Sequence, residues 1–252
     1  MADGRPATPL TGLTRAEQLD ALRARIAAVP GKVGATTASP AAPSPGVQPP
    51  PEVIEVPGDL GSVLPAGGLA RGSVVGCTSG SLLVGLLAAA TQAGEWAAMV
   101  GNPRLGLLAF HEMGGDLERL AHIADPGPDP LAVTAILLDG LGVVVLDYPG
   151  TVAPSRARAV AARVRSHGAV LIVTTTGWMR PDVQIHTRTA GYTGLGHGRG
   201  RLQAVHLDVR VTSRSTRPRT TRLTLHGSTP DRTRWSTRSA ADVVRPGWEQ
   251  TG

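Results

Sequence analysis

Residues 72–94 read GSVVGCTSGSLLVGLLAAATQAG. An apolar pair, Val74 and Val75, enters a turn marked by Gly76 and Gly80, and a helical run of small residues leaves it. This is the outline of a phosphate-binding loop, in which backbone N–H groups and a helix N-terminus hold phosphate oxygens. A working loop reads G-x-x-x-x-G-K-[ST], with the lysine on the β- and γ-oxygens and the hydroxyl on magnesium. In this chain Gly76 to Gly80 is one residue short. Ser81 stands in the place of the lysine and Leu82 in the place of the hydroxyl. A shift by one residue brings no cation, because the chain's single lysine is Lys32. The other half of such a site is better kept. GVVVLDY (142–148) is an apolar strand ending in Asp147, where an aspartate would orient magnesium, although a strand-terminal aspartate is common in α/β proteins.

Other reactive side chains assemble into nothing comparable. His111-Glu112 begins like a zinc motif, but no second histidine follows at helical spacing. His186, His197 and His206 lack carboxylate or cysteine partners nearby, so no metal site is expected. Ser79 and Ser81 sit in CTSGS, which is not the G-x-S-x-G of a nucleophile elbow. Trp178, Tyr192 and Trp235 are interleaved with arginines. Such aromatics can stack bases or anchor a protein interface, and the second use is the one we favour.

The elements that must carry these residues alternate between strand and helix from about residue 53. Strands are expected at 74–75, 96–100, 120–124, 142–148 and 169–176, and helices at 81–93, 104–112, 129–140 and 154–167. Asp129 is a helix cap with Pro130 in the first turn. The uninterrupted apolar strands imply a parallel sheet covered on both faces. From residue 177 a glycine-rich stretch reads as irregular. LQAVHLDVRVTS and TTRLTLHG then form an antiparallel hairpin at the sheet edge, and residues beyond Thr229 read as disordered. Upstream, Thr14 and Glu17 make a capping box for an amphipathic helix whose stripe is Leu19, Leu22 and Ile26. A Pro/Ala/Ser tract tethers this helix to the rest. One such helix is marginal alone in water and needs a surface to dock on.

Composition narrows the class. The chain has 252 residues, 41% apolar but only 3% aromatic, so its core must be aliphatic. Its formal charge is +6 and its pI about 10.8. The charge is uneven: residues 178–252 hold thirteen arginines against five acids, whereas residues 53–177 hold seven against ten. The basic third can attract a polyanion or an acidic protein face; Arg214, Arg217, Arg219 and Arg222 are its densest run. Cys77 is alone, so no internal disulfide is expected and a reducing compartment fits. No secretion signal or membrane span is read in the sequence.

With these residues in view, the chain resembles RecA-type recombinases from about residue 55 to 227. GDLGSVLPAGGLARGSVVGCTSG is similar to the approach to their nucleotide loop, LDYPGTVAP to their Walker B strand, and the paired strands after residue 200 to the hairpin that closes their core. The resemblance implies a RecA-like fold: a mainly parallel sheet with flanking helices, a C-terminal antiparallel hairpin and a tethered N-terminal helix. The expected organisation is a helix over 1–29, a linker over 30–52, the core over 53–227 and a basic tail over 228–252. The departures fall together. Gly101-Asn102-Pro103 replaces the catalytic glutamate, and Thr174, Thr175 and Thr176 replace the glutamine sensor. Loss of lysine, hydroxyl, glutamate and sensor argues against ATP hydrolysis, so Gly76, Gly80, Ser81, Leu82 and Asp147 are expected to be a degenerate remnant that takes no cofactor.

A RecA-like chain with such a loop and a basic end closely resembles the actinobacterial ImuA-type proteins of the damage-inducible mutagenesis cassette. That resemblance implies a non-catalytic adaptor in translesion synthesis. Its partners would be an ImuB-type inactive relative of Y-family polymerases and an error-prone C-family polymerase. The expected partner surfaces are Leu19, Leu22 and Ile26, then Trp178, Tyr192 and the arginines 214, 217, 219 and 222. Self-association through the N-terminal helix and weak nonspecific binding to single-stranded DNA are further expectations, in a cytoplasmic protein that joins the nucleoid after damage. A SulA-like inhibitor of cell division, also RecA-like and also induced by damage, is the alternative.

Overall fold

A computed structural model of the chain describes residues 52–77, 80–174, 177–178, 180–195, 200–229 and 232–237. The amphipathic helix with Leu19, Leu22 and Ile26, the linker up to residue 51, residues 238–252 of the tail, and Thr175, Thr176 and His197 lie outside the described residues.

Short, wholly apolar segments form the centre. They are β3 (Val74–Cys77), β4 (Ala97–Val100), β6 (Val143–Leu146) and β7 (Val170–Val173), and every residue in them is buried. β5 (Leu120–Ile123) flanks them on one side. On the other lie β8 (Val183–Leu195), β9 (Gly200–Ser213), β10 (Arg219–Thr229) and β11 (Arg232–Thr237). The nine strands form one sheet in the order β11-β10-β9-β8-β3-β7-β6-β4-β5. Pairing from β5 across to β8 is parallel, and from β8 to β11 antiparallel. β1 (Val53–Ile54) and β2 (Leu69–Ala70) make a separate two-stranded ribbon. This is the mainly parallel sheet with flanking helices and an antiparallel C-terminal part that the sequence implies.

Alternation along each strand sends side chains to two cores. Val75, Met99, Val145 and Ile172 point to one, where α1 (Ser81–Gln92) and α2 (Leu107–Glu112) cover them with Leu83, Leu86, Leu87 and Phe110. Val74, Val100, Val144 and Leu171 point to the other, under α3 (Pro130–Leu137) and α4 (Pro154–His167). The Asp129 side chain accepts from Ala132 N at 3.1 Å, and Pro130 follows at the first helical position. α4 buries Ala157, Val160 and Val164 at helical spacing and ends at Gly168, which takes the left-handed conformation at φ 65°. Arg156 to Asp129 (2.6 Å) and Arg163 to Asp139 (2.5 Å) tie α4 to the α3 hairpin. Hydrogen bonds from Arg156 and Arg163 hold these two carboxyls below their ordinary range. What the pairs contribute is therefore present above the unfolded carboxylate pKa and lost as pH falls through the depressed values.

Two expectations need correction. The stretch after residue 177 is not irregular: β8 runs thirteen residues through it. Its glycines mark bulges, with register shifts at Thr189/Gly191 and Thr193/Leu195. At Gly194 (φ 88°) a Cβ would lie 2.2 Å from the Arg201 carbonyl oxygen, so glycine there permits strand contact rather than ending it. Likewise residues beyond Thr229 do not all leave the sheet, since β11 pairs with β10, with Leu225 opposite Trp235. β11 is held by Trp235, whose indole packs against α1 at Gly85, where a Cβ would meet ring atoms at 2.7–2.9 Å.

That contact is testable. Gly85→Ala is expected to cost about 1–3 kcal/mol through overpacking, measured by urea denaturation. In a Trp235→Ala background the clash is absent and alanine's higher helix propensity remains, so the same change should become neutral or stabilising. An equal cost in both backgrounds would show that Trp235 does not sit on the helix.

Candidate functional site

In open parallel sheets, ligand sites form outside the carboxyl ends of the strands. Four segments with site expectations meet at that edge: the β3–α1 connection, Gly101-Asn102 after β4, Asp147 after β6, and Thr174 after β7. β7 lies between β3 and β6, so Asp147 stands two strands, about 10 Å, from the loop-bearing strand.

The loop departs from a phosphate cradle at both ends. Gly76 is not part of the turn. It lies inside β3, opposite Val173 and Gln184, and a Cβ there would fall 2.0 Å from Gln184 Oε1. The Gln184 side chain occupies the space above it, which is why the strand carries glycine at this point. Cys77, which follows, is also in the strand, and burial pushes its thiol up to about 12. Gly80 precedes α1 with φ 129°, and no side chain caps the helix. Ser81 is its first residue. Leu82, at the position of a magnesium-binding hydroxyl, is only 1% exposed and packs in the α1 core.

At the neighbouring strand ends the polar groups are engaged within the chain. Asn102 adopts the left-handed conformation (φ 54°), its Oδ1 accepts from Arg104 N at 3.2 Å, and its carbonyl oxygen meets His122 Nε2 at 3.0 Å. Gly101 (φ 83°) precedes it because a Cβ would come within 2.2 Å of the Asp147 carbonyl oxygen. The Thr174 hydroxyl donates to Asp147 Oδ1 at 2.6 Å. The sequence marked both residues, but as a remnant and a missing sensor. Their pairing follows from the strand order, which the sequence alone does not display. Among the described residues no cationic side chain pairs with the Asp147 carboxylate, and the chain's single lysine is outside the described residues. Among the described residues no group of three or more His, Cys, Asp or Glu side chains is placed to hold a metal ion, and no helix is long and apolar enough to cross a membrane.

The residues expected to meet a partner divide. Trp178 is not a surface anchor: it is 6% exposed and fills the α3/α4 core. Tyr192 is 47% exposed on β8. Arg222 binds Asp208 at 2.7 Å and Arg214 lies 3.5 Å from Asp182. Arg217 and Arg219, in and beside the β9–β10 turn, are exposed and make no ion pair among the described residues.

Residues 62–180 match the family model of the MT3502 N-terminal domain, a span that ends before β8. The uncharacterised protein Rv3395c of Mycobacterium tuberculosis is 39% identical over 205 residues, which cover 77% of this chain and 91% of that protein. A KaiC-like protein of Pyrococcus horikoshii superposes with a TM-score of 0.45 at 13% identity, over 73% of this chain and 97% of its own.

Leu82 separates a disabled loop from a dormant one. Leu82→Thr, which restores the hydroxyl type, is expected to lower stability by about 2 kcal/mol, because it removes buried methyl groups and buries a hydroxyl. Urea denaturation measures it; unchanged stability would mean that the position is free to serve a ligand.

Proposed function

The chain belongs to the family that includes the Mycobacterium tuberculosis protein Rv3395c, and from that premise we propose that it is a non-catalytic RecA-like adaptor of the ImuA type. In this reading it acts in damage-induced translesion synthesis, binds an ImuB-type protein and supports an error-prone C-family polymerase. The observation that carries the reading is the packing of Leu82. The helix that should present a hydroxyl to a nucleotide instead buries that position in the core, while Asp147 bonds to Thr174. A fold kept intact around such a loop is suited to a scaffold. The N-terminal segment, with its apolar stripe of Leu19, Leu22 and Ile26, is assigned to assembly with the partner or with a second copy.

Two measurements test this. Phosphate release from ATP, with and without single-stranded DNA, is expected to stay at the buffer background. Turnover that scales with protein and disappears in Asp147→Ala would refute the non-catalytic role. In co-purification, a chain lacking residues 1–50 is expected to keep the melting behaviour of its core but to capture ImuB at least about tenfold less well, a loss on the scale of one interface anchor. Undiminished capture would remove the N-terminal segment from the interface.

A further inference from the structure

The antiparallel ribbon has a second face. Ile185, Leu207, Val209, Val211 and Leu223 point into the α1 core, so the residues between them point away from it. On that outer face the register sets out successive rows. Gln184 lies opposite Thr212, His186 opposite Arg210 and then Thr220, and Arg188 opposite Asp208 and then Arg222. The last two rows line a groove of about 620 Å³. Gln184 and Thr212 line a recess of about 390 Å³ together with Arg180 and Arg214. Those two arginines also line a third recess, of about 230 Å³, reached by Arg158 and Arg165 of α4. Residues i and i+2 share a strand face, so the three hollows follow one another in a line from α4 across β8, β9 and β10.

Seven arginines and two aspartates line this path. The two aspartates lower the formal charge of the path to +5, and each is held in place by the chain. Asp182 Oδ2 accepts from Val74 N at 2.9 Å and so fixes the start of β3 against β8. Asp208 is bracketed by Arg188 at 3.1 Å and Arg222 at 2.7 Å. We infer that this line is a path for single-stranded nucleic acid, held through its phosphodiester backbone without reading of the bases.

Three features favour that occupant over an acidic protein segment. Successive rows are about 6.7 Å apart along a strand, and two of them, His186–Arg210–Thr220 and Arg188–Asp208–Arg222, carry net positive charge. Between the arginines stand Gln184, His186, Thr212 and Thr220, side chains that hydrogen-bond phosphate oxygens. The path also lacks the exposed aromatic anchors that carry protein interfaces: Trp178, at its α4 end, is buried, and Tyr192 pairs with Val205 and faces the other side of the ribbon. The inference concerns this surface alone and does not rest on the adaptor role.

The test uses the full chain and a fluorescent oligothymidylate of about 20 nucleotides, followed by anisotropy between about 50 and 200 mM salt. Arg188→Gln/Arg210→Gln removes two charges from the path, and Arg104→Gln/Arg201→Gln removes two from exposed positions off it. The path variant is expected to bind about tenfold more weakly at low salt, and its slope of log affinity against log salt should fall by about 1.4, since each phosphate contact on a single strand contributes about 0.7. The off-path variant should change less than about threefold. Arg158→Gln/Arg180→Gln, at the other end of the line, repeats the test should the first pair disturb folding by circular dichroism. Equal losses on and off the path would show a response to net charge alone, and no loss on the path would remove the site. A labelled oligoglutamate that binds more tightly than the oligonucleotide, and is lost in the path variant, would assign the groove to an acidic peptide instead. Any of these three results overturns the inference.

Discussion

The burial of β3, β7, β6 and β4 on both faces is the constraint on which the rest depends. Four-residue strands with no exposed side chain must have helices above and below, since apolar surface left in water forfeits roughly 25 cal/mol per Å². With almost no aromatic bulk available, this cover is made of leucine, valine and alanine in close contact. α1 meets the demand on one side with eight buried residues of its twelve, including Leu82 in its first turn. The identity of the loop residues is thus decided by the core beneath them. A helix start that must bury a leucine cannot also offer a hydroxyl from that position.

The same economy governs the polar groups at the carboxyl edge. Asn102 closes its own turn, and Asp147 and Thr174 satisfy each other. These bonds form without a ligand, whereas a working nucleotide site keeps donors and charges open for one. Exposed arginines that make no ion pair among the described residues, such as Arg210, Arg217 and Arg219, stand on β9, β10 and the turn between them.

Much of the parallel half was legible in the sequence, because apolar runs such as VVVL and VLIV, the Asp129-Pro130 start and the α4 stripe each carry a local physical signal. α4 was read to the residue. The antiparallel half was harder, because glycine has two meanings. Gly191 and Gly194 suggested a loop but form bulges, and Gly76 suggested a turn but leaves room for Gln184, more than a hundred residues away in the chain. Trp178 and Trp235 illustrate the same limit. Both stand among arginines in the sequence, yet each is drawn inward by a cavity or a bare glycine that only the folded chain creates. The pairing of Asp147 with Thr174 needed the strand order, which no local pattern encodes.

The position of β3 has a consequence for how the chain is made. Both of its neighbours come late: Val75 pairs with Ile172 on one side and with Val183 on the other. At about 5–20 residues per second, a ribosome needs roughly five to twenty seconds between releasing β3 and supplying its partners. For that interval β3 and α1 form an apolar unit with no sheet to join, and the non-local closure that ends the wait is the slow kind. The strand that leads into α1 is therefore the keystone of assembly. It is among the first parts of the sheet to be synthesised, and it closes only when β8 leaves the ribosome.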